Sequence, residues 1–196
     1  MAEAMNSLAR RVLSPEEGEP MWLRKLGIRF MIGGEETRGN FALVEYLIGA
    51  RALAAPMHTH EREEEYTYVL EGEVGVQIGE EVLVAEPGDL VFKPRGVPHA
   101  FWNAADEPAR ALEMISPASF ERYFAELAPL FPPANQGPLD EQAVDAVREK
   151  YGLRDGHGLY PRARRAPRPR DRRAPAFREV APANKGSGRG YARVLT

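Results

Sequence analysis

From Trp22 onward the chain alternates short runs of β-forming residues with short clusters of turn residues. The runs are Leu26–Ile32 (LGIRFMI), residues 41–48 (FALVEYLI), 65–72 (EYTYVLEG), 73–89 (EVGVQIGEEVLVAEPGD), 90–96 (LVFKPRG), 99–103 (HAFWN) and 109–115 (ARALEMI). Their spacing fits a sandwich or a barrel. Gly79-Glu80 reads as a hairpin turn, and Pro87-Gly88 as the centre of a type II turn in which glycine supplies the positive φ. The stretch after Ile48, which contains Pro56, reads as a loop. No helix long enough to link parallel strands interrupts the set, so the sheet is expected to be antiparallel.

The period changes after Ile115. Ser116 can cap a helix with Pro117 at its first position. Phe120, Tyr123, Phe124, Leu127, Leu130 and Phe131 then recur three and four apart, an aromatic stripe expected to pack on the β-structure or on a partner chain. A second helix is predicted from Asp140 to Tyr151, with Gly152 ending it. The chain thus divides into a flexible segment (1–20), a β-domain (21–116), C-terminal helices (117–153) and a tail (154–196).

Composition sharpens this division. The chain has 196 residues, no cysteine and a net charge of −3. Disulfides and thiolate metal sites are excluded, so any metal must be held by carboxylates and the four histidines. The net charge hides a split: residues 1–156 carry −12 and residues 157–196 carry +9. Arg, Ala, Pro and Gly supply 26 of the last 40 residues, a composition expected to be disordered. Such a basic tail can touch nucleic acid weakly and non-specifically, but it carries no recognition motif. No apolar run suits a signal peptide or a membrane span, so a cytoplasmic, soluble protein is expected.

Three of the four histidines fall in two short segments, His58-Thr59-His60 and His99. In an extended strand, residues i and i+2 share a face, so His58 and His60 point the same way. Glu65 follows beyond a charged turn, residues 61–64, which reads as a solvated hairpin tip. Imidazole with carboxylate suits one divalent transition metal: Fe, Mn, Ni, Co, Cu or Zn. Four protein ligands leave one or two positions for substrate, the mark of a catalytic site. By alternation from His99, Phe101 faces inward and lines a candidate substrate pocket, Trp102 points away, and Asn103 completes the hydrogen bonding of its loop.

The frame around these residues reads His58-x-His60-x4-Glu65-x6-Gly72 and Gly88-x5-Pro94-x-Gly96-x2-His99-x3-Asn103. It resembles the two motifs of the cupin superfamily. One position departs: Ala52 stands where the first motif usually opens with glycine. Within the superfamily, HTHEREEEYTYVLEGE, GDLVFKPRGVPHAFWN and the ASFERYFAEL segment are similar to small single-domain cupins resembling quercetin 2,3-dioxygenase. The resemblance implies an all-β fold, an antiparallel jelly-roll barrel followed by short helices. It implies that His58, His60, Glu65 and His99 bind one divalent metal. It further implies a dioxygenase acting on a small, flavonol-like aromatic substrate, with Glu65 as both ligand and base. A cupin isomerase, or a non-catalytic metal or ligand sensor, is the alternative. A homodimer is expected, with residues 22–32 and the aromatic helix as interface elements.

Overall fold

The computed structural model describes residues 12–15, 17–18, 20–131 and 140–155. The described residues form β1 (Met21–Leu23), β2 (Leu26–Ile32), β3 (Ala42–Ile48), β4 (Ala52–His60), β5 (Glu64–Glu71), β6 (Val74–Ile78), β7 (Glu81–Ala85), β8 (Leu90–Lys93), β9 (His99–Asn103), β10 (Ala109–Ser116) and β11 (Leu153–Asp155), with every predicted β-run among them. One sheet has the order β1-β2-β3-β10-β5-β8 and the other β11-β4-β9-β6-β7. From β3 to β10 the chain passes back and forth between the two sheets, which makes the antiparallel jelly roll.

Alternation decides which side chains fill the interior. In β3 and β10 the inward positions are Ala42, Val44, Tyr46 and Ile48, and Ala109, Ala111, Glu113 and Ile115, all fully buried. They meet Val74, Val76 and Phe101 of the other sheet. Phe101 stacks on Tyr46 with ring centroids 5.4 Å apart, which adds about 1 kcal/mol to the area it buries.

The predicted turns are present. Ile78 pairs with Glu81 around Gly79-Glu80. Asp89 N donates to Glu86 O at 2.9 Å around Pro87-Gly88, with Gly88 at φ +94°. Gly75 serves a different need. The indole of Trp102, on the paired strand, lies where a Cβ at Gly75 would be.

Three expectations are corrected. Pro56 lies inside β4, at an irregular stretch of its pairing with β9, where a missing N–H costs no ladder bond. Ser116 caps no helix: it ends β10, and its hydroxyl donates to Asn40 O. Helix α1 (Glu121–Leu127) begins after Phe120, and a short 3₁₀ turn (Ala128–Leu130) follows. The predicted tail begins two residues too early, because Arg154 belongs to β11 and pairs with Thr59.

Helix α2 (Glu141–Lys150) begins where predicted, with the Asp140 carboxylate accepting from Ala143 N at 3.0 Å. In the N-terminal segment, Arg29 donates to Ser14 O and Glu17 O and pairs with the buried Glu45. Residues 1–11, 16 and 19 of that segment and the basic tail from residue 156 lie outside the described residues. None of the described helices is long and apolar enough to cross a membrane.

Candidate metal centre

Two strands and two strand ends bring the four predicted ligands together. His58 and His60 lie on the inner face of β4, where His58 pairs directly with His99, the first residue of β9. The loop before His99 is tied to β4 by Gly96 N, which donates to His60 O at 2.9 Å. Glu65 enters from the other sheet, near the start of β5. All four side chains are buried, and one ligand atom from each lies within 4.8 Å of the others.

The hydrogen bonds around the cluster fix which nitrogens face inward. His58 Nδ1 donates to Pro56 O at 2.7 Å and His99 Nδ1 to Val97 O at 3.0 Å. His60 Nδ1 faces the Glu63 carboxylate at 3.4 Å. The His58 and His99 rings spend their Nδ1 protons outward, so their Nε2 lone pairs turn inward. His58 Nε2 then stands 3.2 Å from His60 Nε2, and His99 Nε2 3.1 Å from Glu65 Oε2. His99 Nε2 and Glu65 Oε2, two acceptors facing at 3.1 Å, repel one another unless a cation lies beside them. The donor set therefore fits a divalent metal, with His58, His60, His99 and Glu65 as its holders.

Protonation does not supply that cation. Burial, aided by the neighbouring His99 and His60, pushes His58 well below the usual imidazole range. Burial also lowers His99, against the pull of Glu65. Burial would raise Glu65, but Lys93, His60 and His99 override it and hold the carboxyl well below the usual carboxylate range. His58 and His99 are thus held as neutral imidazoles and Glu65 as a carboxylate, the states in which these groups bind metal.

The centre opens into a cavity of about 380 Å³, to which His58 and Glu65 both contribute. Its walls are apolar and aromatic: Leu26, Tyr46, Leu53, Phe101, Phe120, Tyr123, Phe124 and Leu127 among them. Phe101 faces this space, as its parity predicts. The aromatic stripe of α1 packs over the mouth of the β-structure, with the Phe120 ring edge-on to His60 at 4.4 Å. Arg24 and Arg148 also line the wall, Arg24 lying 5.7 Å from the Phe131 ring centroid. Asn103 points away from the cavity chemistry. Its amide donates to Ile48 O, Gly49 O and Glu107 O, and its Oδ1 accepts from Ala105 N.

The structure also shows polar groups that the sequence reading passed over. Glu63, read as part of a solvated tip, is 3% exposed and faces His60, whereas Glu61 in the same turn is solvent-exposed. Lys93, Glu113 and Thr67 form a buried chain behind Glu65. The available signal was parity: Lys93 and Glu113 are charged residues at inward-facing strand positions. Burial pushes the Glu113 carboxyl up to about 7, Lys93 opposing the rise and Glu65 adding to it.

Residues 44–115 match the family described as Cupin domain. No curated protein matches the chain in sequence. Among solved structures, KdgF from Halomonas sp. superposes with a TM-score of 0.52 at 17% identity, over 58% of this chain and 99% of that one. A predicted oxalate decarboxylase from Thermotoga maritima gives 0.51 at 18%, over 54% and 98%. The polyketide cyclase RemF from Streptomyces resistomycificus gives 0.51 at 22%, over 71% and 94%. At such identities these likenesses speak for the fold alone. The matched segment, the two facing sheets and the His-His-Glu-His group support a cupin fold for the β-domain of this chain.

Proposed function

We propose that the protein is a metal-dependent dioxygenase acting on a small aromatic substrate of flavonol-like chemistry. One observation carries the reading: two of the four candidate ligands, His58 and Glu65, form part of the wall of an aromatic-lined cavity. A divalent transition metal held there would act as a Lewis acid on a substrate hydroxyl and as the redox partner of dioxygen. The chain's own residues bind and orient. Phe101, Tyr46 and Phe120 offer ring faces and edges to a planar substrate. Glu65 is ionised, and with Oε2 held by Lys93 at 2.8 Å its Oε1 is the atom available to take a hydroxyl proton. The apolar wall excludes bulk water from the reacting end.

The cavity's mostly apolar lining suits an aromatic body better than a fully polar one. Apart from the centre itself, the described wall offers charge only from Arg24 and Arg148. The same reading takes the protein as a homodimer that covers the half-exposed Trp22 at the sheet edge. A monomeric mass by light scattering at micromolar concentration contradicts that part.

The test is turnover by the full chain loaded with iron, manganese, nickel or copper, with flavonols first in a panel of aromatic hydroxy compounds. Oxygen uptake in proportion to substrate loss is the expected result. Turnover that persists without oxygen, and with zinc, contradicts the oxygenase and favours the isomerase. Tight binding without turnover favours the sensor.

A further inference from the structure

Lys93 is a lysine inside a jelly roll, 1% exposed, in a position that alternation reserves for core residues. An ammonium is seldom fully buried unless paired, because its desolvation is costly. Its partners lie on β5, the strand beside β8, and on β10, the strand beyond β5. Lys93 stands directly across from Glu65 in the β5–β8 register, and Nζ is 2.8 Å from Glu65 Oε2. On its other side Nζ is 2.7 Å from Glu113 Oε1. The second oxygen of Glu113 accepts from Thr67 Oγ1 at 2.6 Å, and Thr67 pairs with Glu113 across β5 and β10. Four inward side chains of three adjacent strands thus form one chain, Glu65–Lys93–Glu113–Thr67, ending on a candidate metal ligand.

We propose that Lys93 is a positioning residue for the metal centre: it holds Glu65 by Oε2, leaving Oε1 turned toward His60, while Glu113 and Thr67 hold Lys93. The proposal rests on the reading of His58, His60, Glu65 and His99 as metal ligands. Two effects of Lys93 on a bound cation have opposite signs. Its positive charge repels a metal, so its removal would tighten binding. Its hold on Glu65 preorganises a ligand with three rotatable bonds, so its removal would weaken binding. The first effect is reduced here, because the Glu113 carboxyl sits in contact with the same ammonium and offsets part of its charge. The second is not offset, and partners of this kind contribute roughly 10–100-fold in metal affinity.

The test uses the full-length chain with Co(II) as probe, competed against a chromophoric chelator. Lys93→Met is expected to bind Co(II) roughly 10–100-fold more weakly, with an altered visible spectrum. Lys93→Arg is expected to regain part of the affinity and the wild-type spectrum. The double variant Lys93→Met/Glu113→Leu replaces the buried pair by apolar groups, a change that folds tolerate better than one widowed charge. It is expected to keep the melting temperature and still lose affinity. Equal or tighter Co(II) binding with an unchanged spectrum, in either the single or the folded double variant, overturns the proposal while the metal reading stands. A wild-type chain that takes up no Co(II) overturns both.

Discussion

The carboxylate of Glu63 lies 3.4 Å from Nδ1 of His60, and both side chains are withdrawn from solvent. A charged residue in what reads as a hairpin tip is therefore turned inward, behind a candidate metal ligand. It stands on the Nδ1 side of the ring, whose Nε2 faces His58 and Glu65. Glu63→Ala should weaken metal binding by roughly 10–100-fold, whereas Glu61→Ala, two residues away and exposed, should leave it unchanged. Chelator competition checks both. Equal affinity in the two variants would show that Glu63 does not orient His60.

The outer face of the first sheet gives a pH dependence remote from the centre. Burial would raise the Glu45 carboxyl, but Arg110 and Arg29 together lower it below its ordinary 4.5. A group whose folded value is depressed contributes stability that is present above its unfolded value. That stability is lost as pH falls through the folded value. The melting temperature should accordingly fall on acidification below about pH 4.5, and Glu45→Gln should flatten that limb. Glu45→Ala at neutral pH should cost about 3 kcal/mol, since it leaves Arg29 buried with backbone carbonyls alone. Identical acid limbs in wild type and Glu45→Gln would rule the assignment out.

Phe101 separates substrate binding from metal binding. Phe101→Ala should empty a cavity wall and cost about 3–4 kcal/mol of stability. It should also lower affinity for an aromatic ligand by at least tenfold while the metal content stays at one per chain. Ligand titration together with elemental analysis decides. Unchanged ligand affinity would place the substrate elsewhere.

Strand β11 sets where the chain can be shortened. Leu153 pairs with His60 and Asp155 with His58, so the strand covers the edge of β4 that carries two candidate ligands. A chain ending after Asp155 should keep its melting temperature and its metal content. One ending after Gly152 should lose several degrees and bind metal more weakly. Equal behaviour of the two truncations would show that β11 does not support β4.

Much of this was legible in the sequence, for identifiable reasons. The period of two exposed most of the strands, and glycine with proline marked the turns at residues 79–80 and 87–88. The parity of His58, His60, His99 and Phe101 set their direction before any coordinates. What stayed hidden depended on pairings distant in sequence. Nothing local shows that Leu153 will extend the sheet beside His60, that Pro56 will fall where β4 and β9 lose register, or that Lys93 and Glu113 will meet behind Glu65. Ser116 followed by Pro117 looks like a helix start, yet the β10 ladder, paired on both sides, extends through Ser116.

One cation held by His58, His60, Glu65 and His99 is the central expectation. Full-length protein is stripped with a chelator, dialysed against Fe(II), Mn(II), Ni(II), Co(II), Cu(II) or Zn(II) in turn, and its metal measured by elemental analysis beside His58→Ala and His99→Ala. We predict one equivalent of at least one of these metals per wild-type chain, and less than a tenth of an equivalent of the same metal in either variant. Stoichiometric metal in His58→Ala or His99→Ala, or none of the six in the wild type, would contradict the site.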